Sequence, residues 1–150
     1  LKTVVIFADN DEDPTSAFAN IKTQITNAGG YAIPDRPLEV VGSDPSIVVV
    51  MLPWENNKGC LETLCLDPAL DKYPDIEACL TPLSGCLNMN GWDISRRSKA
   101  LLQCFFAAAC ASDPNTGLRY AWDRAETLIP LNHTSFNGIA SFLRDLSRTH

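Results

Sequence analysis

Two runs of consecutive apolar residues lie in the first third of the chain, at residues 3–8 (TVVIFA) and 47–53 (IVVVMLP). Both runs are rich in β-branched residues and stay apolar at successive positions, which is typical of strands buried on both faces of a parallel sheet. The pattern therefore predicts two buried strands, the second of which ends at its proline. Shorter strands are predicted at residues 31–34 (YAIP) and 38–41.

The segment between the two long runs has the period of an amphipathic helix. Phe18, Ile21 and Ile25 recur at helical spacing. Asp13 is a candidate N-cap directly before Pro14, a residue favoured in the first turn of a helix. A Gly-Gly pair follows and is typical of a helix C-terminus. A strand, a helix and a second strand are thus predicted in this order.

The pattern beyond residue 58 is helical. Helices are predicted at residues 59–70, 74–87, 95–111, 118–128 and 134–148, with Ser95 as the N-cap of the third. Together with the strands they predict an α/β fold, in which a small, mainly parallel sheet is flanked by helices and the C-terminal half is helix-rich. We expect residues 1–150 to form a single domain, since this length suits one core.

Composition and charge narrow the class of protein. The chain is 45% hydrophobic and 20% charged, which is typical of a globular protein. Its net charge of −6 argues against a generally basic nucleic-acid surface. No apolar run reaches the roughly 20 residues of a membrane helix, so no membrane association is expected. The six cysteines form no C-x-x-C pair, and reduced cysteines in a cytoplasmic protein are the favoured interpretation.

An unusual concentration of acidic residues follows the first strand. Asp9, Asp11, Glu12 and Asp13 occupy four of five positions. In an open α/β sheet, ligands bind outside the carboxyl ends of the strands, and residues two apart on an extended segment point to the same side. Hard oxygen ligands of this kind suit Mg²⁺, Mn²⁺ or Ca²⁺. The alternative is a solvated acidic loop in which Asp13 merely caps the helix.

The stretches VVIFADNDEDPTSAF, VVVMLP, GCLETLCL and RSKALLQCFFAAA occur in this order over residues 4–109. This arrangement resembles a bacterial family of unknown function that is related to the TOPRIM domain of topoisomerases, primases and OLD-family nucleases. In that family a strand ends in Asp-x-Asp, a Gly-x-Leu-Glu sequence opens a helix, and a Lys-Ala pair opens a later one. The resemblance implies a TOPRIM-like fold and a metal-dependent phosphoryl-transfer activity.

The resemblance also implies roles for individual residues. Asp9 and Asp11 match the Asp-x-Asp pair that helps to hold Mg²⁺ (or Mn²⁺), and we expect Asp13 or Glu62 to assist. Glu62 matches the glutamate and Lys99 the later lysine, both as candidate catalytic residues. Structural alternatives remain open, because Glu62 is also a favourable first-turn acid and Lys99 also suits a solvated basic helix start.

One feature of TOPRIM domains has no match here, namely a glutamate on an earlier strand. The chain starts at Leu1 within the Asp-x-Asp strand, so we expect the natural start to lie upstream. We therefore expect either a nuclease-like enzyme acting on nucleic acid or a non-catalytic interaction or regulatory module. A third alternative is an α/β protein without a metal site. A sheet edge exposed at the first strand would favour homo-oligomers.

Overall fold

The computed structural model describes residues 3–122 and 127–149. These residues form two β-strands and six α-helices, together with short 3₁₀ turns at Met89–Gly91 and Thr134–Phe136. The strands and helices are, in chain order, β1 (Thr3–Asp9), α1 (Pro14–Ala28), β2 (Ser46–Leu52), α2 (Leu61–Lys72), α3 (Pro74–Cys86), α4 (Ile94–Ala109), α5 (Leu118–Ala121) and α6 (Asn137–Thr149). The predicted α/β class with a helix-rich C-terminal half is confirmed.

β1 and β2 are parallel neighbours, connected through α1. Their register runs from Thr3 opposite Ser46 to Asp9 opposite Leu52. Every residue of β2 is buried, as the sequence predicted. β1 is only half-buried, and 48% of Phe7 is exposed, so the prediction that both faces of β1 are buried was wrong. The apolar runs of β1 and β2 both fit a buried strand, and only the surrounding structure makes the burial of the two strands different.

The difference between the strands has a structural cause. β2 has β1 on one side and the segment 38–41 on the other, where the Leu38 amide donates to the Val49 carbonyl (2.9 Å) and Val41 pairs with Ile47. The predicted strand at 38–41 is thereby reduced to one isolated bridge, and residues 31–34 form no strand. Within the described ranges no strand pairs with the outer edge of β1. Association of copies through that edge stays a prediction.

Helix α1 packs on the sheet as its pattern predicted. Phe18 and Ile25 lie against Ile47, Val49 and Met51, which alternate along β2 and therefore share one face. The predicted caps of this helix are also confirmed, at Asp13 and at the first glycine of the Gly-Gly pair.

A second core lies among the C-terminal helices, with the buried rings of Phe105 and Phe106 near its centre. Tyr73 meets Phe105 edge to face, with 5.5 Å between the ring centroids. This core holds α2 against α4 and α3 against both. Among the described residues, no helix combines the length and hydrophobicity needed to cross a bilayer.

The start of α4 and the extent of α5 both differ from their predictions. α4 begins at Ile94, and its N-cap is Asp93, whose carboxylate accepts from the Arg96 amide (2.7 Å), so the prediction of Ser95 as N-cap was wrong. The hydroxyl of Ser95 serves another contact instead, described below. The helix predicted at 118–128 extends only over Leu118–Ala121 before the undescribed residues 123–126, on which part of that prediction falls.

Candidate functional site

The acidic loop, residues 9–13, leaves the carboxyl end of β1 and turns sharply at Asp11. The backbone of Asp11 has a φ of 48°, in the left-handed region. Its amide donates to the Gly59 carbonyl (2.7 Å), and the Gly59 amide donates back to the Asp11 carbonyl (2.8 Å). This pair of hydrogen bonds holds the loop beside the segment that enters α2.

Three carboxylates of the loop bind the first turns of α2 and α4. Asp9 Oδ1 accepts from the backbone amide of Leu61 (2.9 Å), the first residue of α2. Glu12 Oε1 accepts from the amide of Ile94 (2.5 Å), the first residue of α4. Asp11 Oδ1 accepts from the Ser95 hydroxyl (3.0 Å). The loop therefore meets both helices where their amides lack an intrahelical partner.

Asp13 completes this arrangement at the start of α1. Its Oδ1 accepts from the amides of Thr15 (3.0 Å) and Ser16 (3.2 Å), and its Oδ2 accepts from the Ser16 hydroxyl (2.7 Å). These hydrogen bonds lower the pKa of Asp13, and the bond from the Ser16 hydroxyl contributes most. Three helix N-termini, each carrying partial positive charge, thus converge on one acidic segment. This convergence is a structural reason for the acidic cluster.

Asp9 lies where several charges meet. Burial raises the pKa of Asp9, and the hydrogen bond from Leu61 opposes that rise. The negative charges of Glu62 and Asp11 raise this pKa further, whereas the positive charge of Lys99 lowers it. The structure therefore brings together the four charged residues Asp9, Asp11, Glu62 and Lys99, which the sequence had separated by up to 90 positions.

The two candidate catalytic residues lie near the N-termini of neighbouring helices, Glu62 in the first turn of α2 and Lys99 in the second turn of α4. Glu62 is half-buried at the second position of α2, which also agrees with its alternative as a first-turn acid. Lys99 is exposed on α4 and makes no ion pair or hydrogen bond with any residue of the described ranges. Lys99 therefore has a free ammonium group next to an acidic cluster.

A hydroxyl network, which the sequence did not reveal, joins α2 to α4 beside these residues. Thr63 Oγ1 accepts from the Cys60 amide (3.1 Å) and donates to Ser98 Oγ (2.9 Å). The Cys60 thiol points to the Ser95 carbonyl (3.8 Å), and burial raises its pKa. Cysteine is an unusual N-cap, so only the threonine three positions later could have suggested this cap.

Asn10 was not predicted as a site residue, because the Asp-x-Asp pattern leaves its middle position unspecified. The side chain is completely buried. Its Nδ2 donates to the carbonyls of Glu55 (2.7 Å) and Asn57 (2.8 Å), and its backbone amide donates to the Leu52 carbonyl (2.8 Å). Its Oδ1 has no partner in the described part of the chain. Asn10 thus holds the loop after β2 against the acidic loop.

The fit of a divalent cation can be judged from the carboxylate oxygens. No group of three or more Cys, His, Asp or Glu side chains in the described ranges is arranged to hold a metal ion. Asp9 and Asp11 each use one oxygen in a hydrogen bond, and the second oxygen of each makes none within the described residues. In proteins Mg²⁺ is commonly held by one or two carboxylates, with waters and substrate phosphates completing its shell. Both oxygens of Asp13 are engaged by α1.

Comparison with known proteins gives one match. The model of a family described as "Protein of unknown function (DUF3226)" matches residues 1–148. No curated protein and no solved structure matches the chain.

Proposed function

The chain belongs to this DUF3226 family, and we propose that it is a TOPRIM-like, Mg²⁺-dependent phosphoryl-transfer enzyme that acts on nucleic acid in the manner of a nuclease. One observation carries the proposal. Asp11 at the same strand end, Glu62 from α2 and Lys99 from α4 all act electrostatically on the carboxylate of Asp9. The order Asp-x-Asp, glutamate, lysine is the order of the TOPRIM-related pattern, and convergence of these residues is what such an activity requires.

Each residue has a role that follows from its position. Asp9 and Asp11 would hold Mg²⁺ (or Mn²⁺) through their unpaired oxygens, and the ion would supply Lewis-acid polarisation of a phosphate group. Lys99, exposed and unpaired within the described part of the chain, would stabilise negative charge that develops on the phosphoryl oxygens. Glu62, half-buried in the first turn of α2, would accept the proton of the attacking water. Asp13 remains the cap of α1.

The surroundings also suit a phosphate. The N-termini of α2 and α4 lie at the acidic loop, and a helix N-terminus favours negative charge, whether of a carboxylate or of a phosphate. Burial is the main cause of the raised pKa of Asp9, and a bound cation would offset the smaller contribution from the negative charges of Glu62 and Asp11.

A second function, from another class, is favoured by a different observation. Each acid of the loop already accepts a hydrogen bond from a first helical turn, which gives the whole cluster a structural purpose. In that case the chain would be a non-catalytic interaction or regulatory module that keeps the TOPRIM-like acids as helix caps. The two functions differ in whether the loop binds a divalent cation.

Calorimetric titration with Mg²⁺ and with Mn²⁺ tests the proposal. We expect saturable binding to the unmodified chain and binding at least ~10-fold weaker in the double variant Asp9→Asn/Asp11→Asn. The matched control Asp35→Asn/Asp75→Asn removes the same formal charge at exposed positions and should bind normally. Equal binding by both double variants would mean that cations bind elsewhere, and no binding by the unmodified chain would favour the module.

Cleavage assays then test the catalytic roles. Single- and double-stranded DNA and RNA are incubated with the protein and Mg²⁺, with EDTA as a blank. We expect Lys99→Ala and Glu62→Gln to lower the rate by about 10²-fold or more while Mg²⁺ affinity changes little. Activity that persists in both variants would contradict the proposed roles.

A further inference from the structure

A cleft of about 530 Å³ lies between α2, α3 and α4. This volume is within the range of small-molecule sites, roughly 300–1,000 Å³. Its apolar lining is formed by Leu66, Leu70, Leu80 and Leu101. Hydroxyl, amide, guanidinium and carboxylate groups complete the lining, and this mixture of an apolar surface with a few polar groups is typical of sites for organic ligands.

One end of the cleft lies at the acidic loop. Thr63 and Ile94 both line the cleft and belong to the first turns of α2 and α4. These are the turns to which Asp9 and Glu12 bind. Leu70, also in the lining, lies seven residues after Thr63 and therefore about 10 Å farther along α2. The cleft thus extends away from the candidate metal site.

Two polar side chains of the cleft, Ser84 and Arg97, are at least half-buried and make no hydrogen bond or ion pair within the described residues. Ser84 is only 7% exposed, and its hydroxyl makes no hydrogen bond within the described residues. Arg97 is half-buried, and its guanidinium forms neither an ion pair nor a hydrogen bond there, although Asp67 and Glu77 line the same cleft. Because Ser84 lines the cleft, its hydroxyl can donate to or accept from a ligand bound there.

We propose that this cleft binds the base and sugar of a single nucleotide, with the phosphate directed to the end at the acidic loop. The inference rests on the proposed function and specifies its substrate. Arg97, in the first turn of α4, would contact the phosphate. The leucines would cover the faces of the base, and Ser84 would hydrogen-bond its edge. Asp67 and Glu77 would accept from N–H or O–H groups of the base or sugar.

The lining also distinguishes a nucleotide from an alkyl phosphate, a ligand that likewise combines an anion with an apolar body. An alkyl chain offers nothing to the hydroxyl of Ser84 or to the carboxylates of Asp67 and Glu77. A cleft between three helices also admits one base and not a stacked duplex. The substrate is therefore an unpaired nucleotide, either free, at a strand end or in a single strand.

Binding in EDTA tests the inference separately from metal chemistry. Nucleoside 5′-monophosphates are titrated into ¹⁵N-labelled protein, and affinity is measured by calorimetry. We expect shifts of amide signals at residues 80–85 and 97–101, and about 5- to 10-fold weaker binding in Ser84→Ala and in Arg97→Ala. Arg144→Ala, an exposed arginine on α6 outside the cleft, should bind as the unmodified chain does.

Two further probes decide what the cleft recognises. Ribose 5-phosphate should bind much more weakly than the nucleotides, and decyl phosphate should not compete with them. Equal affinity for ribose 5-phosphate, or tighter binding of decyl phosphate, would overturn the proposal of a nucleotide.

The outcomes for the cleft and for the proposed function are separable. Mg²⁺ binding at Asp9 and Asp11 with cleavage of nucleic acid, but without nucleotide binding in EDTA, would overturn only the cleft proposal. Nucleotide binding that depends on Ser84 and Arg97, without any Mg²⁺ binding, would support the cleft and overturn only the metal-dependent activity.

Discussion

Replacement of Gly59 by alanine should destabilise the protein strongly, because two costs coincide at this residue. Its φ of +126° is a conformation that residues with a Cβ rarely adopt. A Cβ at this position would also lie 2.6 Å from Thr63 Oγ1 and 2.9 Å from Thr63 Cβ. The clash therefore falls on the hydroxyl that joins α2 to Ser98 on α4.

The size of the effect can be estimated from these two terms. Backbone strain of this kind costs about 1–3 kcal/mol. Overpacking against a residue that cannot move freely costs about 1–3 kcal/mol more. The sum, about 2–6 kcal/mol, is a large part of the roughly 5–15 kcal/mol by which domains are stable.

Alanine variants of three other glycines measure the backbone strain and the overpacking separately. Gly30 has a φ of +77° with open space around its Cβ position, so Gly30→Ala should cost only about 1 kcal/mol of strain. Gly138 has no positive φ, but a Cβ there would lie 2.6 Å from Trp54 Cε2, which leaves packing alone. Gly85 has neither restriction, and Gly85→Ala should stabilise α3 by up to about 1 kcal/mol.

Urea unfolding followed by far-UV circular dichroism measures all four variants. Gly59→Ala should be the least stable, below both Gly30→Ala and Gly138→Ala. A free energy of unfolding for Gly59→Ala within about 1 kcal/mol of that for Gly85→Ala would contradict the predicted cost of the backbone strain at Gly59 and of the clash with Thr63. In that case the backbone near α2 would have to relax without loss of stability.

Three further predictions concern titration and reactivity. NMR titration of the Asp9 carboxyl should give a lower pKa in Glu62→Gln and a higher one in Lys99→Met, and an unchanged pKa in both would contradict the convergence of these charges. Asp13→Ala should lower the urea midpoint at neutral pH but not at very low pH. The pKa of Asp13 is lower in the folded than in the unfolded protein, so its carboxylate stabilises the fold above the unfolded-state pKa. This stabilisation is lost as the pH falls through the folded-state pKa. Cys65, whose pKa burial raises to about 12, should react with iodoacetamide more slowly than the two exposed cysteines of α3, as mass spectrometry of the labelled protein would show.

The long elements were predictable because their patterns repeat over many residues. The spacing of Phe18, Ile21 and Ile25 and the flanking cap residues identified α1 and both its ends. The start of α4 was not predictable in this way, since Asp93 and Ser95 are both good N-cap residues. Which one caps the helix depends on Asp11, 84 residues earlier, which engages the Ser95 hydroxyl.

The site was predictable in its charges but not in its contacts. The sequence drew attention to Asp9 and Asp11, because carboxylates at a strand end are conspicuous. It gave no signal for Asn10 and only a weak one for Thr63, three positions after Cys60, because both act through hydrogen bonds formed across distant segments. The difference in exposure between β1 and β2 has the same origin, since it depends on which neighbours cover each strand.

The hydrogen bonds of the acidic loop also determine when it can form during synthesis. Its contacts with Leu61, Ile94 and Ser95 span 52, 82 and 84 residues. A nascent chain that has not yet released α4 from the ribosome can form β1 and α1 but cannot complete this loop. Contacts of such sequence separation are formed late because the chain between them must first be ordered. The loop is therefore synthesised before α2 and α4 but ordered only after both have formed, so incomplete chains carry its carboxylates without its geometry.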